Sequence, residues 1–285
     1  MTTMTYSEWD NIPNAKLYER YTQTYPISQA TAQKLIKLAN IQADMSIIDL
    51  ACGTGAITAQ ILAKPAHTGT IIAVDQSAAM LDIAKQKFPA SRVCFLHSAA
   101  ETVHEVLPPA SVDLALCNSA FWQMRMKATL DALHTILKSK ARFIFNLPPG
   151  VSIPNLRSPA SFAQRMLQIA RDEYDYIPPQ RRGLSLTLNE MQRILQASSF
   201  MLISSETATF EKTIDDLHAF YHIPIMIQSF LPGLNYTTRR QIVDKTYREY
   251  GGSHKEVFEW RFYIAELTSS DDLLPLEIPT VGADN

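Results

Sequence analysis

The stretch IIDLACGTGAIT, residues 47–58, restricts the fold more than any other. An apolar, β-branched run enters a turn of small residues holding Gly53 and Gly55, and the chain continues into a segment suited to a helix. That order begins a βαβ unit, and the chain then repeats it. From Met45, short apolar runs alternate with helical segments: SIIDLA, a helix from about Ala56, TIIAVD, the helical SAAMLDIAKQKF, VCFLHS, VDLALCN, a helix from about Met126, and ARFIFNL. Regular alternation implies a parallel sheet with right-handed crossovers. Met126, Leu130, Leu133 and Leu137 form one stripe of the Met126 helix, a face for packing on the sheet.

Residues 1–44 read as helical: Ala32, Leu35, Ile36 and Ala39 keep amphipathic spacing, with Ser28 as the expected cap. Residues 45–150 form the ligand-binding core. Pro148 and Pro149 end the alternation, and residues 151–187 read as a cap insertion with helical material between Ala160 and Asp172. Residues 188–268 return to the core, with LNEMQRILQAS as helix, FMLISSETATF as strand, a helical cap segment over 213–250, and EVFEWRFYIAEL as the last strand. Residues 269–285 carry acids and no Lys or Arg and are expected to fray. The expected fold is α/β: seven strands, mostly parallel, flanked by helices and carrying helical cap insertions.

Composition narrows the function. With 285 residues, 46% of them apolar, the chain can build a full core, and no run of about 18 apolar residues suggests a membrane span. The opening MTTMTYSEWDN lacks the basic-then-apolar layout of a signal peptide, so a cytoplasmic protein is expected. A net charge of −2 gives no general attraction to nucleic acid or to an anionic membrane. Cys52, Cys94 and Cys117 show no CxxC spacing and are expected to be buried and reduced. No HExxH, GxSxG or GxxxxGK[ST] occurs and no cluster has metal spacing, so no metal is expected. A small-molecule acceptor is the favoured partner.

In a parallel sheet the ligand lies at the carboxyl ends of the strands, which places the glycine turn in the binding crevice. Gly53 and Gly55 allow backbone to approach a ligand closely, and Asp75, ending the next strand, suits the two hydroxyls of a ribose. A pyrophosphate needs a third glycine to bring the helix N-terminus near, and that place holds Thr58. Asp49, just before the turn, opposes an anion and suits an ammonium group. Ribose, adenine and a cationic amino-acid end together describe S-adenosylmethionine.

These residues resemble the class I S-adenosylmethionine-dependent methyltransferases. DLACGTG, residues 49–55, is similar to the family's first motif; Asp75 corresponds to its ribose-binding acid, followed by Gln76 and by Met80 in the helix that flanks adenine. FLHSAAE, residues 95–101, matches the third motif, and CNSAFW, residues 117–122, the loop after the fourth strand. The resemblance implies a Rossmann-like fold, S-adenosylmethionine as cofactor and S-adenosylhomocysteine as product, with Tyr21, Asp49, Ala51, Gly53, Gly55, Asp75, Gln76, Met80, Ala99, Ala100, Asn118 and Ser119 lining the cofactor site. One departure is Ala99, which stands where an acid usually binds the adenine amino group. NLPP, residues 146–149, is set aside as a decoy for the motif of amide and base nitrogen methyltransferases, because it follows the fifth strand rather than the fourth.

For methyl transfer to a hydroxyl, His222 in FYHIPI is the candidate catalytic base and substrate contact, an ordinary capping histidine being the alternative. His97 reads as structural and His134 as solvent-facing. Trp122 walls the acceptor pocket or packs the core. Trp9, Tyr18, Tyr21 and Tyr25 make an aromatic segment that in similar enzymes folds over the cofactor as a lid, with Trp9 touching substrate; simple helix packing is the alternative. Arg157, Arg165, Arg171, Arg181 and Arg182 could recognise a carboxylate or the phosphate of a carrier-bound substrate, but Asp172, Glu173 and Asp175 among them favour a solvated face of paired charges. Methylation of a small-molecule oxygen ranks ahead of carbon or nitrogen, with specialised metabolism as the expected setting. The alternatives are a nicotinamide-dependent oxidoreductase, and a non-catalytic protein with a degenerate pocket.

Overall fold

The computed structural model describes residues 9–149, 161–179 and 186–268. Two helices come first, α1 (Ile12–Thr24) and α2 (Ile27–Ala39), followed by β1 (Ile47–Leu50), α3 (Ala56–Leu62), β2 (Ile71–Asp75), α4 (Ala78–Lys87), β3 (Val93–His97) and β4 (Val112–Cys117). Then come α5 (Met126–Ile136), β5 (Leu137–Leu147), α6 (Phe162–Tyr174), α7 (Leu188–Gln196) and β6 (Phe200–Thr213). The described chain closes with α8 (Ile214–Tyr221), α9 (Pro224–Phe230), α10 (Tyr236–Tyr250) and β7 (Lys255–Leu267). The sheet order is β3-β2-β1-β4-β5-β7-β6, with β1 to β5 parallel and β7 antiparallel to both neighbours. The expected seven-stranded Rossmann-like sheet is present. Its order reverses between β1 and β4, which puts the end of β1 at the crevice.

Strand alternation divides the core into two layers. Ile48, Leu50, Phe143, Phe145 and Tyr263 pack with α5 and α7, while Ile47, Ile71, Leu114, Ile144 and Phe262 pack with α2 and α3. Beyond the Leu147–Arg261 pair, β6 and β7 run on alone as a two-stranded ribbon to Thr213 and Lys255. A third apolar cluster joins the helical segments on that side: Phe162 and Met166 of α6 meet Leu217, Ile227, Ile242 and Val243 of α8 to α10. Arg165–Glu249 and Lys245–Glu173 ion pairs tie α6 to α10. Segments expected as two separate caps therefore share one core. Among the described residues no helix is long and apolar enough to cross a membrane.

Several local expectations change. Ser28 does not cap α2: the helix starts at Ile27 behind Pro26, which leaves Ser28 inside its first turn. The stripe of four splits, because α5 ends at Ile136 and Leu137 already belongs to β5. Cys94 is exposed, since it points outward from the edge strand β3, whereas Cys52 and Cys117 are buried as expected. The helix expected over 160–172 spans Phe162–Tyr174. The long helical segment after β6 is three helices, broken at Pro224 and at Gly233, whose φ is 87°. Arg157, Arg181, Arg182 and the tail lie outside the described residues.

Candidate active site

The turn after β1 packs three left-handed residues into five: Ala51 at φ 53°, Gly53 at 55° and Gly55 at 93°. Gly55 is required there twice over, since a Cβ would also lie 2.3 Å from Cε2 of Phe88 at the end of α4. Cys52 N–H donates to Val74 O at 2.9 Å, drawing the turn against the end of β2. There Asp75 completes the loop: Oδ2 accepts from Gly53 N–H at 2.7 Å and Oδ1 from Ser77 N–H at 2.8 Å. One acid thus shapes the glycine turn and starts α4. Each oxygen keeps a lone pair, the number two ribose hydroxyls need. Burial raises the Asp75 pKa, opposed by those backbone bonds.

Asp49 is 1% exposed, and its Oδ2 accepts from both the N–H and the hydroxyl of Thr58, at 2.9 and 2.7 Å. The residue in the place of a third glycine is therefore what orients Asp49. Burial pushes this carboxyl up to about 7, against the pull of the Thr58 bonds. The native state then holds a proton that the unfolded chain has released, so the stability this group contributes is full below about pH 4 and lost as pH rises through 7. An ammonium beside it favours the carboxylate and expels the proton. Titration with S-adenosylmethionine near pH 6, in two buffers of different ionisation heat, should show proton release by the wild type, sharply reduced in Asp49→Asn. Equal proton release by both proteins would remove Asp49 from ammonium recognition.

Helix α1 lies across this turn. Tyr18 Cε1 is the atom nearest to a Cβ built on Gly53, at 4.0 Å, and Trp9 meets the Tyr18 ring edge-on at 5.6 Å. Lys87 donates to Thr54 O at 2.8 Å and pairs with Glu19 of α1 at 2.7 Å. At the other end, Asp10 accepts from Ala79 N–H and Ser77 donates to Trp9 O, both at 3.0 Å. Met80 packs beneath α1 with Ala15 and Ala79.

Around the remaining cofactor positions, polar groups have definite partners. Gln76 O is bonded by His97 Nε2 at 2.9 Å, and Ser98 N–H donates to Asp75 O. Ala99 and Ala100 open a 3₁₀ turn whose acid, Glu101, accepts from Arg125 N–H at the start of α5. Asn118 and Ser119, the latter at φ 58°, are held by Asn146, which is fully buried: it accepts from Ser119 N–H at 2.6 Å and donates to Asn118 Oδ1 at 2.9 Å. Asn146 belongs to the NLPP stretch, so that stretch supports the β4 loop. Trp260 of β7 donates to Ser119 Oγ at 3.2 Å, while Trp122 folds back to Ser119 O at 3.1 Å and packs against the α5 layer.

Two expected site residues have close partners of their own. Tyr21 donates to Asp216 Oδ1 at 2.6 Å and accepts from Lys212 Nζ at 2.8 Å, in a buried cluster linking α1, β6 and α8. Burial and Asp216 drive the phenol's pKa far up. His222 Nε2 lies 2.7 Å from Asp244 Oδ1, which His218 Nε2 also reaches at 2.8 Å, inside the cap. Burial lowers the His222 pKa, the Asp244 bond opposing it. Sequence reasoning misses Phe88, Lys87, Asn146, Lys212 and Trp260, together with the partners of His222. Only His218 among them offers a local signal, its i, i+4 spacing from His222. His134 is exposed on α5, as expected.

Comparison with known proteins places this geometry. Residues 47–140 match a family described as a methyltransferase domain. A malonyl-[acyl-carrier protein] O-methyltransferase of Priestia megaterium is 27% identical over 158 residues, covering 54% of this chain and 55% of that protein. The chain spans about half the length, or less, of the curated relatives it matches. Among solved structures, a protein of Bacillus halodurans C-125 described as a methyltransferase superposes with a TM-score of 0.56 at 14% identity, covering 84% of this chain and all of that one. Geranyl diphosphate C-methyltransferase of Streptomyces coelicolor, solved with S-adenosyl-L-homocysteine, superposes at 0.50 with 13% identity, covering 84% of this chain and 79% of that one. With the glycine turn, Asp75 and the sheet order in register, residues 47–140 are a methyltransferase domain, and the chain has the fold of the class I S-adenosylmethionine-dependent methyltransferases.

Proposed function

We propose that the protein transfers a methyl group from S-adenosylmethionine to a small-molecule acceptor, oxygen ahead of carbon or nitrogen, releasing S-adenosylhomocysteine. The observation that carries this reading is Asp75 bound to Gly53 N–H together with the buried Asp49–Thr58 pair: a ribose acceptor and an ammonium acceptor flanking one glycine turn in sequence. In the reaction the acceptor's lone pair attacks the sulfonium methyl in line as the carbon–sulfur bond breaks. Most of the rate then comes from positioning and from excluding water. Helix α1, pinned over the turn, supplies the exclusion, and Asn118 and Ser119 form the loop after β4 that Asn146 and Trp260 hold in place. Trp9, edge-on to Tyr18, and Trp122 are the candidate substrate contacts.

Titration of the purified protein with S-adenosylmethionine and with NADH tests the cofactor. Binding of the first alone supports the reading; binding of NADH alone would replace it with an oxidoreductase. Acceptors that gain one CH₂ by mass spectrometry then identify the chemistry. The curated relative acts on a malonyl group carried by acyl-carrier protein, and a carrier-bound acceptor is the second reading that this similarity favours. Arg165 is already paired with Glu249, so it contributes little to phosphate recognition.

For a hydroxyl acceptor His222 is the proposed base. With Nε2–H donated to Asp244, the atom left to take a proton is Nδ1. His222→Ala should lower turnover by about 100-fold or more while S-adenosylmethionine affinity stays unchanged. Unchanged turnover would show that positioning alone carries the step.

A further inference from the structure

The α8–α10 face of the cap holds a cluster that the methyl-transfer reading uses only in part. His218 lies in the last turn of α8 and His222 is its C-cap in helical conformation, one turn on, so their side chains share one face. Asp244 faces them from α10. Nε2 of both rings converges on one oxygen, Asp244 Oδ1, at 2.8 and 2.7 Å, and the three donor atoms lie within 4.8 Å of one another. The ring centroids are 4.3 Å apart, and the Tyr247 ring packs tilted against His218 at the same distance. All three side chains are about one-quarter to one-third exposed, which leaves a path from solvent.

We infer that His218, His222 and Asp244 form a binding site for a divalent transition-metal ion, with zinc as the best-matched probe. Two imidazoles and one carboxylate are the donor set of zinc, cobalt and nickel rather than of magnesium or calcium, which take oxygen ligands. Ligands of a tetrahedral zinc stand about 3.3 Å apart, given bonds near 2.0–2.1 Å. The two nitrogen–oxygen spacings of 2.7–2.8 Å need to open by about half an ångström, and the two ring nitrogens already lie within 4.8 Å of one another. Three protein ligands leave a fourth position for water or a solute, as in open zinc sites. Arg240, whose charge acts on His222, is the neighbouring cation; it lies over the Tyr236 ring.

The ion also bears on the base role of His222. Imidazole nitrogen Nε2 cannot ligate a metal while Nδ1 stays free to accept a proton in a neutral ring, because the ring's one proton then sits on Nδ1. Occupancy would convert His222 from base to ligand. The site is a property of the cap and is read without cofactor or acceptor, so its failure and the failure of the methyltransferase reading are distinguishable.

Chelator-treated full-length protein is titrated with zinc chloride by calorimetry, alongside His218→Gln, Asp244→Asn and, as control, His134→Ala on the exposed face of α5. Circular dichroism confirms that each variant is folded. The expected result is one zinc per chain, weakened at least tenfold in His218→Gln and in Asp244→Asn and unchanged in His134→Ala. Zinc should also raise the unfolding temperature of the wild type and not of the two cluster variants, since it binds only where α8 meets α10. Cobalt chloride gives a second readout, a visible absorption band lost in the same two variants. Absence of saturable zinc binding, or equal affinity in wild type and both cluster variants, overturns the assignment. Zinc that binds and inhibits turnover supports both the site and the base; zinc that binds with turnover unaffected supports the site and removes His222 from the chemistry.

Discussion

Asp75→Asn should weaken S-adenosylmethionine binding by about 100-fold. The carboxylate has two duties, and the substitution harms both. Toward the ligand it accepts from two ribose hydroxyls, and hydrogen bonds to a charged acceptor contribute about 1.5–3 kcal/mol each. Toward the protein, Oδ2 holds Gly53 N–H and Oδ1 holds Ser77 N–H, and an amide can keep only one of these, since its nitrogen donates. The turn should loosen as well as lose a ligand contact. Calorimetry reads the affinity, and circular dichroism shows whether the fold survives. A folded Asp75→Asn protein that binds S-adenosylmethionine as tightly as the wild type would mean that Asp75 only shapes the turn.

Lys212→Met should lower stability by about 3–5 kcal/mol, the largest single effect expected in the chain. Lys212 is 5% exposed and Asp216 2%, so neither charge has water to fall back on. The ammonium lies 3.4 Å from Asp216 Oδ1, 2.8 Å from the Tyr21 hydroxyl and 4.2 Å above the Phe220 ring. Burial lowers the Lys212 pKa and Asp216 pulls it back up, so the ion is tolerated only because of its partner. Removing the lysine leaves Asp216 as an uncompensated buried charge. In a domain of this size the unfolding temperature should fall by roughly 10 °C. The double variant Lys212→Met, Asp216→Leu should recover most of the loss, because an apolar pair of similar volume carries no desolvation cost. Failure of the double variant to recover would assign the effect to packing of the aromatic cage formed by Tyr21, Phe220 and Phe258.

This cluster marks where sequence reading stops. An aromatic segment suggests Tyr21 for the cofactor, yet its hydroxyl is bound by residues 191 and 195 positions away. Nothing local announces such a partner. Trp260 reads as one aromatic among several in a strand, and its role at Ser119 comes from a neighbour 141 positions distant. The NLPP motif follows the wrong strand for nitrogen methylation; the structure agrees about the motif but gives Asn146 a supporting task, since the ends of β4 and β5 adjoin and the β4 loop needs donors and acceptors. Ser28 fails as a cap for a local reason: α2 already begins at Ile27, behind Pro26, so Ser28 lies inside the helix.

What the sequence alone determined is what short-range physics determines. Short apolar runs set between helical segments dictate a parallel sheet, two glycines in IIDLACGTGAIT dictate a turn that no side chain obstructs, and an acid about 20 residues on falls at the end of the next strand of the same βαβ unit. All of these are contacts between neighbours along one supersecondary element. The tertiary structure alone decided how α1 covers that turn, that the helices before and after β6 share one apolar core, and that His218, His222 and Asp244 converge. Those arrangements join elements whose mutual orientation depends on the whole packed sheet. The placement of α1, the shared core of the helices around β6 and the cluster between α8 and α10 therefore became visible only once the chain was folded.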